Sequence, residues 1–388
     1  MMHDYRELFQ PAHTLIGMGA IEEIPHYIED LGCQKALVVS DQGLVKIGTV
    51  KKVTDVLDRA GKPYVLFDGV KPNPTVAIVR EAYAAARDQG CDYIVGIGGG
   101  SPLDVSKAVG ILCTNGGDIR DYEGVNCSKK PGLPLIAINT TAGTGSEVTR
   151  DYVITDEDRK VKMLMVDSHC LAALAIDDPQ LMIDMPSKLT AATGMDALTH
   201  AIEAYVCKQH FPYSDGIALE AIRLVSASLR TAVSDGNNIE ARTNMCWAEY
   251  MAGLAFSNSG LGLVHAMAHQ LGGFYNMPHG VANAILLPYV MEYNSSSCKE
   301  RFAAVAGAMG VKTTGLTNDQ ASLAAIDAVR RLSEDIGIPT LASLGFQPED
   351  AVTLSINATN DTCIVDNPKE ATVMDVQAIY MNAYMGNY

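Results

Sequence analysis

The stretch Tyr93-Ile94-Val95-Gly96-Ile97-Gly98-Gly99-Gly100-Ser101-Pro102-Leu103-Asp104 decides the fold. Its first five residues form a short apolar run with no polar alternation, as in a strand covered on both faces. The glycines that follow let a backbone turn tightly and approach a ligand closely. Ser101 is placed to cap a helix, Pro102 fits its first turn, and Asp104 stands three beyond the cap. The free N–H groups at such a helix start can hold a pyrophosphate. An ordinary strand-to-helix turn is the plain alternative. The spacing is not G-x-G-x-x-G, so the expected sheet is Rossmann-like rather than a standard Rossmann unit.

The same rhythm runs through the first half. Residues 36–40, 64–67 and 135–139 read as buried strands, and 76–89 as an alanine-rich helix. Apolar strands alternating with helices predict a parallel sheet covered on both faces. A second loop, Asn139 to Glu147, is rich in hydroxyls and small residues. Its Thr140, Thr141, Thr144 and Ser146 suit the sugar or ring of a nucleotide, or simply a capped loop. Asp41 follows the 36–40 strand. A carboxylate there pairs with ribose hydroxyls and repels a 2′-phosphate, which points to NAD, although an acidic turn residue reads the same way.

Near Pro186 the pattern changes to helix after helix. Ile217, Ala221, Leu224 and Val225 form an apolar helical stripe, and further helices are expected at 318–336 and 370–386. The chain of 388 residues thus reads as an α/β dinucleotide-binding domain, 1–185, and an all-α domain, 186–388, for metal and substrate. A net charge of −16 argues against nucleic acid and anionic membrane as partners. No window approaches the roughly 18 apolar residues of a membrane span. The start, Met1 to Arg6, does not have the pattern of a signal peptide. Nine scattered cysteines with no C-x-x-C pair read as reduced thiols in a cytoplasm.

Metal-ligand chemistry concentrates in the second half. Asp196 and His200 are four apart, so they share a helix face, and His265 and His269 repeat that spacing. His279 follows between a proline and a glycine, as a loop ligand would. One carboxylate with imidazoles suits Fe²⁺ or Zn²⁺. Spacing leaves five residues for four places. Glu203, three past His200, can orient a ligand, cap a helix or face solvent. His3, His13, His26 and His210 have no such grouping and read as surface residues.

These residues carry a resemblance. Gly98 to Asp104, Thr140 to Glu147, Gly194 to Tyr205, Gly262 to Gly273 and His279 to Asn283 resemble the motifs of the iron-dependent, or group III, alcohol dehydrogenases. Among these, the 1,3-propanediol, lactaldehyde and methanol dehydrogenases look most similar, from about residue 8 to the C-terminus. The resemblance implies Asp196, His200, His265 and His279 as metal ligands and His269 beside the nicotinamide and substrate. It implies adenosine-side contacts at Asp41 and Asn73 and pyrophosphate contacts at Gly99, Gly100 and Ser101, with Asp104 in the same loop. Thr140, Thr141, Thr144 and Ser146 fall around the nicotinamide, Lys162 on a ribose, Leu181 on the adenine wall, and Phe256 and Cys363 in the substrate pocket. Lys369 departs from the arginine that relatives commonly carry after Pro368. A homo-oligomer, dimer or decamer, follows by analogy alone.

The implied reaction is reversible hydride transfer between a small primary alcohol or diol, such as 1,3-propanediol, ethanol or butanol, and NAD. The ion polarises the alcohol oxygen as a Lewis acid, and His269 relays the proton. A metal- and NAD-dependent lyase of the dehydroquinate synthase type is the alternative. Met195, Leu198, Phe256, Leu263 and Met267 favour a small neutral alcohol over its charged substrate. A non-catalytic, metal-stabilised scaffold would need neither Asp41 nor the glycine loop.

Overall fold

The computed structural model describes residues 5–159 and 161–387, so His3 lies outside the described residues. The chain divides into two compact units, Met1–Asp184 and Met185–Tyr388.

The first unit alternates strands and helices. In chain order they are β1 (His13–Ile16), α1 (Ile24–Leu31), β2 (Ala36–Asp41), α2 (Gln42–Ile47), α3 (Thr49–Arg59), β3 (Tyr64–Val70), α4 (Val76–Asp88), β4 (Tyr93–Gly98) and α5 (Gly100–Asn115). Then come β5 (Gly124–Val125), β6 (Leu135–Asn139), β7 (Asp151–Asp156), β8 (Val161–Val166) and β9 (Leu174–Asp177). Six strands form one parallel sheet in the order β1-β9-β6-β4-β2-β3. Successive residues feed opposite faces. Leu37, Val39 and Ile94 enter one core, whereas Ala36, Val38, Tyr93, Val95 and Ile97 enter the other. This is why these strands read as unbroken apolar runs. Each fully buried Leu, Ile or Val contributes about 1.5–3 kcal/mol.

The expected strands are present, and 64–67 extends to Val70. The two short strands β1 and β9, and a second sheet of order β5-β8-β7, were not read from the sequence. In that sheet β5 and β8 are parallel, and β7 and β8 antiparallel. The sheet order turns at β2 and β4: β3 lies outside β2, while β6 and β9 lie beyond β4. Open α/β sheets bind ligands outside the strand carboxyl ends at such a switch point.

Among the described residues the second unit contains helices and no strands. They are α6 (Ser187–Val206), α7 (Pro212–Ser234), α8 (Ile239–Ser259), α9 (Leu263–Tyr275), α10 (His279–Asn294), α11 (Lys299–Ala308), α12 (Asn318–Asp335), α13 (Ala351–Thr359) and α14 (Val373–Met385). Buried almost all round from Thr190 to Val206, α6 is the unit's central helix, with α7, α8 and α10 packed on it. No described helix is long and apolar enough to cross a membrane. His13 and His26 are exposed, while His210 is half-buried beside Asp215, 3.2 Å away.

Candidate functional site

In the second unit Asp196, His200, His265 and His279 bring one ligand atom each to within 4.8 Å of one another. Asp196 and His200 lie one turn apart on α6, His265 stands in the first turn of α9, and His279 is the first residue of α10. His279 is therefore a helix-start residue and not the loop residue expected, because Pro278 sets the turn just before it. Its turn comes very close to α6. A Cβ on Gly280 would stand 2.3 Å from the Ala192 carbonyl oxygen, so only glycine allows this approach.

Glu203 unites two of the roles open to it. It is buried, and its carboxylate accepts from the Val264 N–H at 2.7 Å, capping α9 from a neighbouring helix. The same group accepts from His265 Nδ1 at 2.5 Å, which leaves the His265 Nε2 lone pair facing the other donors. Asn367 completes the cap, accepting from the Leu263 N–H at 3.1 Å. Two residues later Lys369 reaches away to the Tyr293 carbonyl, at 3.0 Å.

Burial dominates the electrostatics. It pushes Asp196 up to about 7, against a hydrogen bond from Asn283, and Glu203 also to about 7. Burial likewise drives His265 well below the usual imidazole range. A buried carboxylate facing three imidazole nitrogens is a donor set that a divalent cation satisfies. The His200 ring stacks between Phe256, 4.4 Å away, and His265, 4.6 Å away. Met195, Leu198, Leu263 and Met267 are buried.

His269 stands apart from that foursome. Its Nδ1 donates to Asp361 Oδ2 at 2.9 Å, and its ring stacks on His279 at 5.6 Å. Asp361 also accepts from the Cys363 N–H at 2.9 Å, so His269, Asp361 and Cys363 form a second group. Asp361 was missed because no local pattern marks it. Asn283 was also missed, although its i+4 spacing from His279 was readable.

The first unit holds a cavity of about 440 Å³ lined by Asp41, Gln42, Gly43, Asp68 to Pro72, and Gly99 to Pro102. It lies where the sheet order turns. Gly99 and not Ser101 caps α5, which starts at Gly100. The glycine run lets the chain enter the helix sooner, so Ser101 falls inside the first turn. A Cβ on Gly99 would meet Thr141 at 2.8 Å and one on Gly100 would meet Thr144 at 3.2 Å, which puts the two loops in contact. Asp41 caps α2, accepting from the Leu44 N–H at 2.9 Å.

Other expected contacts have internal partners. Asn73, with φ of 53°, accepts from Lys162 Nζ at 2.8 Å, and burial lowers the pKa of Lys162. Ser146 donates to Asp104 Oδ1 at 2.8 Å and accepts from Lys107 at 3.0 Å. Asp104 also accepts from the Val153 N–H, and burial raises it to about 6. Asp104 thus ties α5 to β7, and Ser146 ties its own loop to α5. Thr140 is buried, and Thr141 bonds Asn139 through its N–H at 3.0 Å. Leu181, 2 % exposed, packs into the sheet's core.

Comparison with known proteins agrees with this arrangement. Residues 11–179 match the model of the iron-containing alcohol dehydrogenases, and residues 190–384 match its C-terminal counterpart, the Fe-containing alcohol dehydrogenase family. The chain is 45 % identical to lactaldehyde reductase of Escherichia coli (strain K12), covering 95 % of this chain and 97 % of the relative. It is 44 % identical to the NAD-dependent methanol dehydrogenase of Bacillus methanolicus, covering 97 % and 99 %. A crystal structure of 1,3-propanediol oxidoreductase superposes with a TM-score of 0.96 at 46 % identity, covering 98 % of this chain and all of that one. The chain belongs to the iron-containing alcohol dehydrogenase family. It is an oxidoreductase of that family, and the lyase alternative is not favoured.

Proposed function

We propose that the protein interconverts a small primary alcohol or diol and its aldehyde, using NAD and a divalent metal ion. The observation that carries this reading is the convergence of Asp196, His200, His265 and His279 within 4.8 Å. These four would hold Fe²⁺, with Zn²⁺ as a second fit to the same donors. When bound, the ion supplies Lewis-acid polarisation of an alcohol oxygen, and NAD supplies the hydride acceptor.

The chain's own groups do the rest. Glu203 fixes the His265 tautomer, and Phe256 fixes the plane of His200. Phe256 and Cys363 bound the substrate. Asp361 holds His269, which takes the alcohol proton and passes it towards solvent. In the first unit the start of α5 at Gly99, Gly100 and Ser101 receives the pyrophosphate, and Asp41 faces the adenosine ribose. Asn73, Lys162, Leu181, Thr140, Thr141 and Thr144 complete the cofactor's surroundings, with Asp104 and Ser146 bracing the loops from behind. Nine free cysteines support a reducing, cytoplasmic setting, and the assembly proposed is a homo-oligomer. An activity screen crossing Fe²⁺ and Zn²⁺ with ethanol, 1,3-propanediol, 1,2-propanediol and butanol tests the reading. NAD reduction that requires metal is expected. No turnover in any combination would overturn it.

A further inference from the structure

Asp41 ends β2, and across the parallel ladder it pairs with both Gly69 and Val70 of β3. Two residues opposite one form a bulge, and pairing stops there, so Lys71 is the first residue past the ladder. Adjacent strands lie about 4.8 Å apart, and a lysine carries its charge on a flexible four-carbon stem. The Lys71 ammonium is therefore within reach of a group bound at Asp41. Asp41, Asp68 and Lys71 line the same cavity as Gly99 to Pro102, and Lys71 is the one lysine or arginine in that lining. Asp41 accepts from the Leu44 N–H at 2.9 Å. Lys71 is exposed, and among the described residues it forms no hydrogen bond or ion pair.

We propose that Lys71 is a cofactor-specificity residue whose ammonium attracts the 2′-phosphate of NADP that Asp41 repels. Discrimination between NAD and NADP is then set by the pair and not by Asp41 alone. This rests on the reading of the cavity as the adenosine site. Charge decides the direction. A phosphate monoester carries close to two negative charges at neutral pH, whereas the ribose hydroxyl of NAD carries none. An ammonium beside that position therefore lowers the penalty on NADP and leaves NAD, which has no charge there, almost untouched. Asp41 and Asp68 together outweigh the single ammonium, so NAD stays the preferred cofactor. The pyrophosphate is the other phosphate that an ammonium could meet. It is common to both cofactors, so engaging it would change both affinities alike.

Dissociation constants of NAD and NADP should be measured by calorimetry, with no alcohol present, in wild type, Lys71→Met, Lys71→Glu and Lys71→Arg. The quantity read is the NADP constant divided by the NAD constant. Met should raise this ratio ~3–10-fold, the scale of an exposed charge pair, and Glu should raise it further, to ~10–100-fold. Arg keeps the charge and should hold the ratio near the wild-type value. If wild type binds NADP too weakly to measure, the comparison is made in Asp41→Gly, where adding Lys71→Met should again raise the ratio ~3–10-fold. Equal weakening of both cofactors in Lys71→Met would assign the ammonium to the pyrophosphate and overturn the proposal. Unchanged constants would overturn it too, with NAD binding intact and the adenosine site still standing. Failure of wild type to bind NAD would remove the adenosine reading and this inference with it.

Discussion

Glu203 and His265 are joined by a hydrogen bond of 2.5 Å between buried side chains on neighbouring helices. The bond places the ring proton on Nδ1 and the lone pair on Nε2, the nitrogen that faces the other donors. The same carboxylate caps the helix that carries His265, so ring orientation and helix start are set by one group.

Glu203→Gln should retain the fold and weaken divalent metal binding ~10–100-fold, the usual cost of losing a partner of a metal-binding histidine. Competition against a chelator reads it. Wild-type affinity would show that the carboxylate acts only as a helix cap.

His269→Ala should keep its metal and lose turnover by ~10²–10⁴-fold, the range for general acid–base help. The deficit should shrink as pH rises, because hydroxide then takes the proton directly. Metal content and a pH–rate profile check this together. A metal-free variant would make His269 a ligand.

How far the sequence could be read shows clearly at these two residues. Local spacing brought five metal candidates to light, since i,i+4 pairs share a helix face. It could not tell His265 from His269, whose difference lies in long-range partners: Glu203 is 62 residues away and Asp361 is 92. The buried strands were visible as apolar runs, whereas β1 and β9, four residues each, are too short to stand out. In β8 the alternating exposure of Val161 to Val166 is a period-two signal that lysine and three methionine or leucine residues disguise. Ser101 looked like a cap because the glycine run hid where the helix begins.

Asp41→Gly should raise the ratio of kcat/KM for NADP to that for NAD on the order of tenfold, by removing a negative charge worth about 1–2 kcal/mol against a 2′-phosphate. Loss of the α2 cap to glycine costs only a few tenths of a kcal/mol. Steady-state kinetics with both cofactors decide it, and an unchanged ratio would place Asp41 away from the ribose.

Asp156 should control acid stability. Its buried carboxylate accepts from Arg120 at 2.8 Å and from Arg159 at 2.7 Å, and these two guanidinium groups hold it well below the usual carboxylate range. A depressed folded pKa means that the unfolded chain binds the proton first on acidification. The stabilisation is therefore complete above about pH 5 and is lost progressively below it. Melting temperatures of wild type and Asp156→Asn across this range should differ most at neutral pH and converge in acid. A constant gap would mean that the carboxylate's charge plays no part.

The most direct test of the central claim follows a label. The Fe²⁺-loaded protein is given NAD and 1,3-propanediol deuterated at its carbinol carbons, and the reduced cofactor is analysed by mass and NMR. The account predicts one deuterium transferred, as deuteride, to the nicotinamide ring per aldehyde formed, with transfer abolished by chelation and in His265→Ala. Transfer that persists without metal, or aldehyde formed with no deuterium on the nicotinamide, would contradict it.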